Sequence, residues 1–327
     1  MPRRAFVAGM VATMAAARAV RAQPALKVWR VGYLGDGPRA ERLRINLEPF
    51  RDGLRELGYV EGQNLVIVER WTEGRAQQLP ELAAELVRLK VDVIVTHGVR
   101  GTKAAQEATK TIPIVTAVMP DPVAAGLVAS LARPGGNTTG MSDQVTELAE
   151  KEIEILREAL PHARRITFLW NEGNPGAKLT FDQTRKASQK LGLASEAVGI
   201  TDPIQIEPAI ARAAGNRADA LVVIHDILTV SHRARIAEAA LKHRLPTICG
   251  SSPFVDAGGL IAYAPNLPSL FKRAAVFVDR ILRGAKPGDI PIEQPTRFEL
   301  RVNLKTAKAI NLTIPAAFLS RADQLIE

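Results

Sequence analysis

Six apolar runs of this chain end on residues that can hydrogen-bond or ion-pair with a small polar molecule. They are Gly35-Asp36, Thr96-His97-Gly98, Pro120-Asp121, Asn171-Glu172, His225-Asp226 and Gly250-Ser251-Ser252. The chemistry on offer is recognition. An aspartate such as Asp121 or Asp226 pairs with an ammonium, while Arg100, the hydroxyls of Thr96, Ser142, Ser251 and Ser252, and the free N–H groups of a following helix suit a carboxylate. Together they predict a site for a small zwitterion, with Gly35, Asp36, Thr96, Gly98, Asp121, Ser142, Asn171, Asn174, Asp226 and Ser251 as its residues. A neutral polar solute is the competing ligand. Asp121 stands between Pro120 and Pro122, which stiffen its turn and would hold its carboxylate with little ordering cost. Each of these residue types is also a favoured helix N-cap, so every position has a purely structural reading beside the functional one.

Catalytic constellations are missing from the sequence. No Gly-x-Gly-x-x-Gly follows a strand-like run, and no Gly-x-Ser-x-Gly elbow supplies a hydrolase nucleophile. The five histidines are dispersed; His225 and His232 share a helical spacing but have no Cys or Glu pattern beside them. Neither a cofactor nor a metal is expected. Hydrogen-bonding loops and a hinge are what a binding protein needs. An exported α/β enzyme acting on a small polar substrate is the alternative.

The elements that must hold these residues are legible from periodicity. Strand-like runs such as "VWRVGYLG", "VDVIVTHG", "IPIVTAVM", "RITFLWNE" and "ADALVVIHD" alternate with amphipathic stretches such as "LPELAAELVRLK" from residue 28 to about 286. Continuously apolar runs suit parallel strands covered on both faces, and their alternation with helices predicts an α/β fold with parallel sheets. In open α/β sheets ligands sit beyond the carboxyl ends of the strands, where the six polar ends fall. A turn cluster, "ARPGGNTTG" at 132–140, interrupts the alternation, and the segment after residue 219 echoes the pattern of the one after residue 91. The reading is two Rossmann-like lobes: residues 29–142 with 260–286, and residues 143–259 with 287–327.

The first 22 residues carry an arginine pair, a short apolar centre and a small-residue end, which predict an export signal cut before Gln23. Arg3-Arg4 followed by Phe6 is similar to a twin-arginine signal. The run is too short to cross a bilayer. The formal charge of +9 falls to near +5 without the four arginines of this segment. The remaining basic residues are interspersed with acids on helix faces, which argues against a nucleic-acid partner. Cys249 is the only cysteine, so the exported chain has no internal disulfide and depends on its core. It is expected to be a periplasmic monomer.

Four stretches resemble a known family: "VGYLG" with "FRDGLRELGYVEGQNLVIVERW"; "TIPIVTAVMPDPVAAGLVASLARPGGNTTGMS"; "FLWNEGNPG"; and "RFELRVNLKTAKAINLTIPAAFLSRADQLIE". They are similar to the exported substrate-binding components of ABC transporters, in the group whose relatives bind aromatic amino acids. The resemblance covers nearly the whole chain after the export segment. It implies a type I periplasmic-binding-protein architecture, two lobes with three hinge crossings closing over a solute that passes to a permease and ATPase; a sensor is the alternative partner. By position it matches Gly35-Asp36, Thr96-His97-Gly98, Asp121-Pro122-Val123, Thr139-Gly140-Met141-Ser142, Asn174-Pro175 and Asp226. The chain departs from its relatives at "GAKLTF", where they often carry Asn-Ser, and at Tyr263-Ala264-Pro265, where they often carry Tyr-Gly.

Overall fold

A computed structural model describes residues 27–142 and 145–327. The export segment expected at 1–22 and its cleavage position lie outside the described residues. Among the described residues twelve strands form two sheets. The first sheet has the order β2-β1-β3-β4-β5, from β1 (Trp29–Gly35), β2 (Leu65–Trp71), β3 (Val93–Thr96), β4 (Ile114–Met119) and β5 (Thr138–Ser142), all parallel. The second has the order β12-β11-β10-β9-β8-β6-β7. Its strands are β6 (Arg165–Asn171), β7 (Ala194–Ile200), β8 (Ala220–Val223), β9 (Thr247–Cys249), β10 (Ile261–Pro265), β11 (Phe298–Asn303) and β12 (Gln324–Ile326). Among the described residues only the β10–β11 pairing is antiparallel.

Helices cover both faces of each sheet. In chain order they are α1 (Arg39–Arg42), α2 (Glu48–Glu56), α3 (Leu79–Arg88), α4 (Gly98–Ala108), α5 (Val145–Ala159), α6 (Pro175–Lys190), α7 (Ile206–Gly215), α8 (Ile227–Ser231), α9 (Arg233–Lys242), α10 (Ser252–Asp256), α11 (Leu267–Leu282), α12 (Leu304–Ala309) and α13 (Ala316–Leu319). Strands β3, β4 and β8 are buried at every position, as double coverage demands. One face of the first sheet packs on α2 and α11 through Phe50, Leu54, Phe271, Phe277 and Val278; the other packs on α3 and α4 through Leu86, Ala104 and Ala105. Burying Phe271 or Phe277 contributes about 1.5–3 kcal/mol each. Gly53 lets α2 approach α11, since a Cβ there would stand 2.5 Å from the Lys272 carbonyl oxygen.

The course of the chain differs from the expected lobe boundaries at both ends of the 260–286 segment. Strand β10 joins the second sheet, between β9 and β11, because the apolar run after Gly259 satisfies the exposed edge of β9. Only α11 returns to the first lobe. Residues 290–293 also stay with that lobe rather than the second. They line the free edge of β5: Glu293 N–H donates to the Gly140 carbonyl (2.9 Å), and Ser142 N–H donates to the Glu293 carbonyl (2.9 Å). The chain therefore passes between lobes after Ser142, between β10 and α11, and between Glu293 and Phe298. Strand β5 begins inside the 132–140 segment that the sequence presents as a turn cluster. Gly135 and Gly136 both take positive φ, the turn falls on Gly136 and Asn137, and the pairing strand begins at Thr138.

Candidate functional site

Each sheet has one point where successive connections leave in opposite directions, between β1 and β3 in the first lobe and between β6 and β8 in the second. The carboxyl ends of these strand pairs open a crevice, and the two crevices face one another. In the first lobe, Asp36 and His97 meet across it. The Asp36 N–H donates to His97 Nε2 at 3.4 Å. Arg100, on the first turn of α4, pairs its Nη2 with Asp36 Oδ2 at 3.0 Å, and the Thr72 hydroxyl donates to Asp36 Oδ1 at 3.1 Å. Burial and the charges of Arg42, His225 and Arg100 push the His97 imidazole down to about 3, so it is a neutral acceptor at physiological pH.

The second lobe repeats the arrangement with different chemistry. Asn171 Nδ2 donates to Asp226 Oδ1 at 2.7 Å, and Asn174 Nδ2 donates to Asp226 Oδ2. The Leu228 N–H donates to Asp226 Oδ1 at 2.8 Å. Asp226 is thus a buried N-cap whose two oxygens are taken by the protein itself. Its neighbour His225 is held neutral, down to about 4, by burial and by the Arg42 charge.

Between the lobes lies a cleft of two chambers, of about 80 and 50 Å³, that share Val118, Thr180 and His225 as walls. The polar chamber is lined by Asp36, His97, Gly98, Arg100, Asn174 and Asp226. Two helix N-termini, those of α4 and α6, reach it from opposite lobes. His97 makes no side-chain cap to α4, whereas Asn174 Oδ1 accepts from Gly176 N–H (3.0 Å) at the start of α6. The Arg100 Nε is buried and makes no hydrogen bond. The second chamber is mostly apolar, with Leu148, Ala149, Pro265 and Leu267 around Tyr263 and Glu152. The lobes touch across the mouth. A Cβ on Gly176 would stand 3.3 Å from Val99 Cγ2 and 3.4 Å from Pro120 Cγ of the opposite lobe.

Of the residues singled out in the sequence, Asp36, Gly98, Asn174 and Asp226 line the cleft. Gly35 ends β1 under the Trp71 ring, which occupies the space of a side chain there. Thr96 is buried behind the edge, its hydroxyl donating to the Leu34 carbonyl at 3.0 Å. Asn171 orients Asp226. Ser142 lies at the first crossing, and Ser251 is buried next to the cleft residue Gly250 with its Oγ unbonded. Asp121 has a different task. It adopts a positive φ of 23°, and its Oδ1 accepts the Ala124 N–H at 3.0 Å; its neighbour Pro120, rather than Asp121, faces the cleft. Asp121→Asn should therefore keep both turn and cap, changing stability by less than about 0.5 kcal/mol and leaving solute affinity unchanged by calorimetry. A loss of about 1.5–3 kcal/mol in binding would return Asp121 to the site.

Sequence reasoning passed over Glu152; His225 was counted among the polar strand ends but not among the site residues, and Thr180 and Tyr263 fall in the two stretches where the chain departs from its relatives. A signal existed for Glu152: it lies on the stripe Ala149-Glu152-Ile153-Leu156 that α5 buries, an acid in an apolar phase.

The sequence pattern of the ABC transporter substrate-binding proteins matches residues 42–326. The chain belongs to that family. This substrate-binding protein is 29% identical over 263 residues to the tyrosine-binding protein of Clostridioides difficile (strain R20291), spanning 80% of this chain and 75% of the relative. Its fold is similar to that of an ABC domain from Streptococcus pneumonia in complex with L-Trp (TM-score 0.86, 25% identity, 92% of this chain and 100% of the other). It superposes less closely on the ligand-free, open structure of a substrate-binding protein with adhesive properties from Clostridium difficile (TM-score 0.69, 26% identity, 92% and 99% covered). The architecture is that of the type I periplasmic binding proteins. Among the described residues no helix is long and apolar enough to cross a membrane.

Proposed function

We propose that this substrate-binding protein is exported to the periplasm, acts as a monomer without a cofactor, and captures an amino-acid-like zwitterion between its lobes. It hands the solute unchanged to the permease and ATPase of an ABC importer. The observation that carries this reading is the polar chamber, where two helix N-termini converge beside a buried Arg100 Nε that has no partner. Helix N–H groups and a guanidinium are complementary to a carboxylate. Relatives named for tyrosine or bound to L-Trp support an amino acid as the class. Gly176, Ala177 and Thr180 of "GAKLTF", with Tyr263 and Pro265, are all cleft residues, so the side-chain specificity is this chain's own.

A thermal-shift screen of the twenty L-amino acids, simple sugars and nucleosides tests the reading. A ligand at a hundred times its dissociation constant should stabilise by about 2.7 kcal/mol. X-ray scattering should show compaction with the same ligand, and Arg100→Gln should weaken binding by on the order of tenfold to a hundredfold. A shift with a sugar or nucleoside alone overturns it.

A further inference from the structure

If the polar chamber takes a carboxylate, the amine of the solute needs an acceptor, and the aspartates do not supply one. Both oxygens of Asp36 and both of Asp226 are engaged, and Asp121 caps its own turn. We propose that Glu152, in the second chamber, receives the cationic amino group of the solute, and that seating this group displaces the carboxyl proton to solvent. The inference rests on the amino-acid reading above and deepens it.

The geometry is specific. Glu152 is 7% exposed, and its Oε1 is buried without a hydrogen-bond partner. The oxygen stands beside Gly250, where a Cβ would be 4.0 Å from Glu152 Oε1 and 3.8 Å from the His225 Cβ; the bare glycine leaves space in front of the carboxyl. Val118, Leu148 and Leu267 give that space an apolar wall. A carboxylate with no partner in such a wall is costly, so with the lobes in contact and the cleft empty, as here, the neutral acid is favoured and burial pushes Glu152 up to about 8. A bound ammonium reverses the balance. The acid and the ammonium become a carboxylate–ammonium pair, and one proton leaves.

The groups that face Glu152 do not titrate in the same range. His225 is held down at about 4, chiefly by burial and then by the Arg42 charge. Burial raises the Cys249 thiol on β9 well above its usual range and raises the Tyr263 phenol on β10. On α5 itself, Lys151 pairs with Glu154 at 3.0 Å, and Glu150 pairs with Lys190 of α6. Below the free pKa each binding event must release a proton, so affinity rises with pH and levels off above it.

The experiment is calorimetry of the unmodified protein with each of the twenty L-amino acids, at pH 7 in phosphate and in Tris, whose ionisation enthalpies differ. An amino acid that binds should release close to one proton, and its dissociation constant should fall by about tenfold per pH unit between about pH 6 and 8. Its deaminated acid should bind without releasing a proton. Glu152→Gln, an isosteric change, should abolish the proton release and the pH dependence and weaken binding on the order of tenfold or more above pH 8, whereas Arg100→Gln should weaken binding and keep the proton release. An amino acid that binds with no proton exchanged, or with the exchange intact in Glu152→Gln, overturns the assignment of Glu152 and leaves the amino-acid reading standing. Failure of all twenty to bind at millimolar concentration overturns both. The proton count needs no variant, so it stands even where Glu152→Gln does not fold.

Discussion

Gly140→Ala is expected to destabilise the protein by on the order of 3–5 kcal/mol and to lower its melting temperature by roughly 10 °C. Gly140 lies inside β5 at a φ of +137°, a conformation that residues with a Cβ rarely adopt. The added carbon would also stand 2.0 Å from the Thr116 carbonyl oxygen and 2.8 Å from the Thr116 nitrogen and carbonyl carbon on β4. Those are backbone atoms of a buried strand and cannot swing aside. Relief requires β5 to part from β4, which also disturbs the Glu293 segment held on Gly140 and with it a crossing between the lobes. Gly192→Ala is the control, because Gly192 also has a positive φ (71°) but nothing within 4 Å of its would-be Cβ. It should cost only about 1–2 kcal/mol. Equal losses in the two variants, measured by chemical denaturation, would show that strain and not strand contact governs Gly140.

Gly176→Phe is expected to weaken solute binding at least about a hundredfold while leaving the stability of the ligand-free protein within about 1 kcal/mol. Gly176 sits in the first turn of α6 at ordinary φ, so helix geometry tolerates a side chain. What lies in its way are Val99 and Pro120, which belong to the other lobe. A benzyl group there would hold the lobes apart. The apparent dissociation constant of a two-state binder rises in inverse proportion to the population able to close, so a hundredfold loss corresponds to about 2.7 kcal/mol against closure. Scattering should show no compaction of Gly176→Phe with a solute that compacts the unmodified protein. Gly176→Ala, at 3.3–3.4 Å from its neighbours, should lose only a few-fold. Normal affinity and normal compaction in Gly176→Phe would mean that the lobes meet elsewhere when the solute is bound.

Much of the architecture was legible because it is encoded locally. Strands β1, β3, β4, β6 and β8 are apolar runs bounded by polar turns, and each appears where its run predicts it. Three strands were not read: β5 and the tail strands β11 and β12. Strand β5 reads "TTGMS" and has no apolar alternation; it is a strand because β4 offers it an unpaired edge. Strand β12 has only three residues, and β11 reads FELRVN, with charged residues among its apolar ones; it is a strand because β10 offers it an edge to pair with. Membership of β10 in the second sheet was equally hidden. Its sequence announces a strand after Gly259, but the edge it joins depends on which strand is left unpaired.

The site divides along the same line. From residues alone it followed that two lobes would present the polar ends of parallel strands, since strand–helix alternation and the switch of connection direction dictate where those ends point. The kinship with ABC transporter substrate-binding proteins was also readable in four stretches of sequence. What only the tertiary structure decided is which polar groups remain available. Asp226 carries its formal charge in any arrangement, yet Asn171, from a strand more than fifty positions earlier, consumes one of its oxygens. The phase of Glu152 on the apolar stripe of α5 is written in the sequence, but that it faces the cleft and that Oε1 finds no donor there are not. Residue type sets what a side chain can bond, whereas the partners that use up that capacity are brought together by contacts between distant segments, and no local pattern records them.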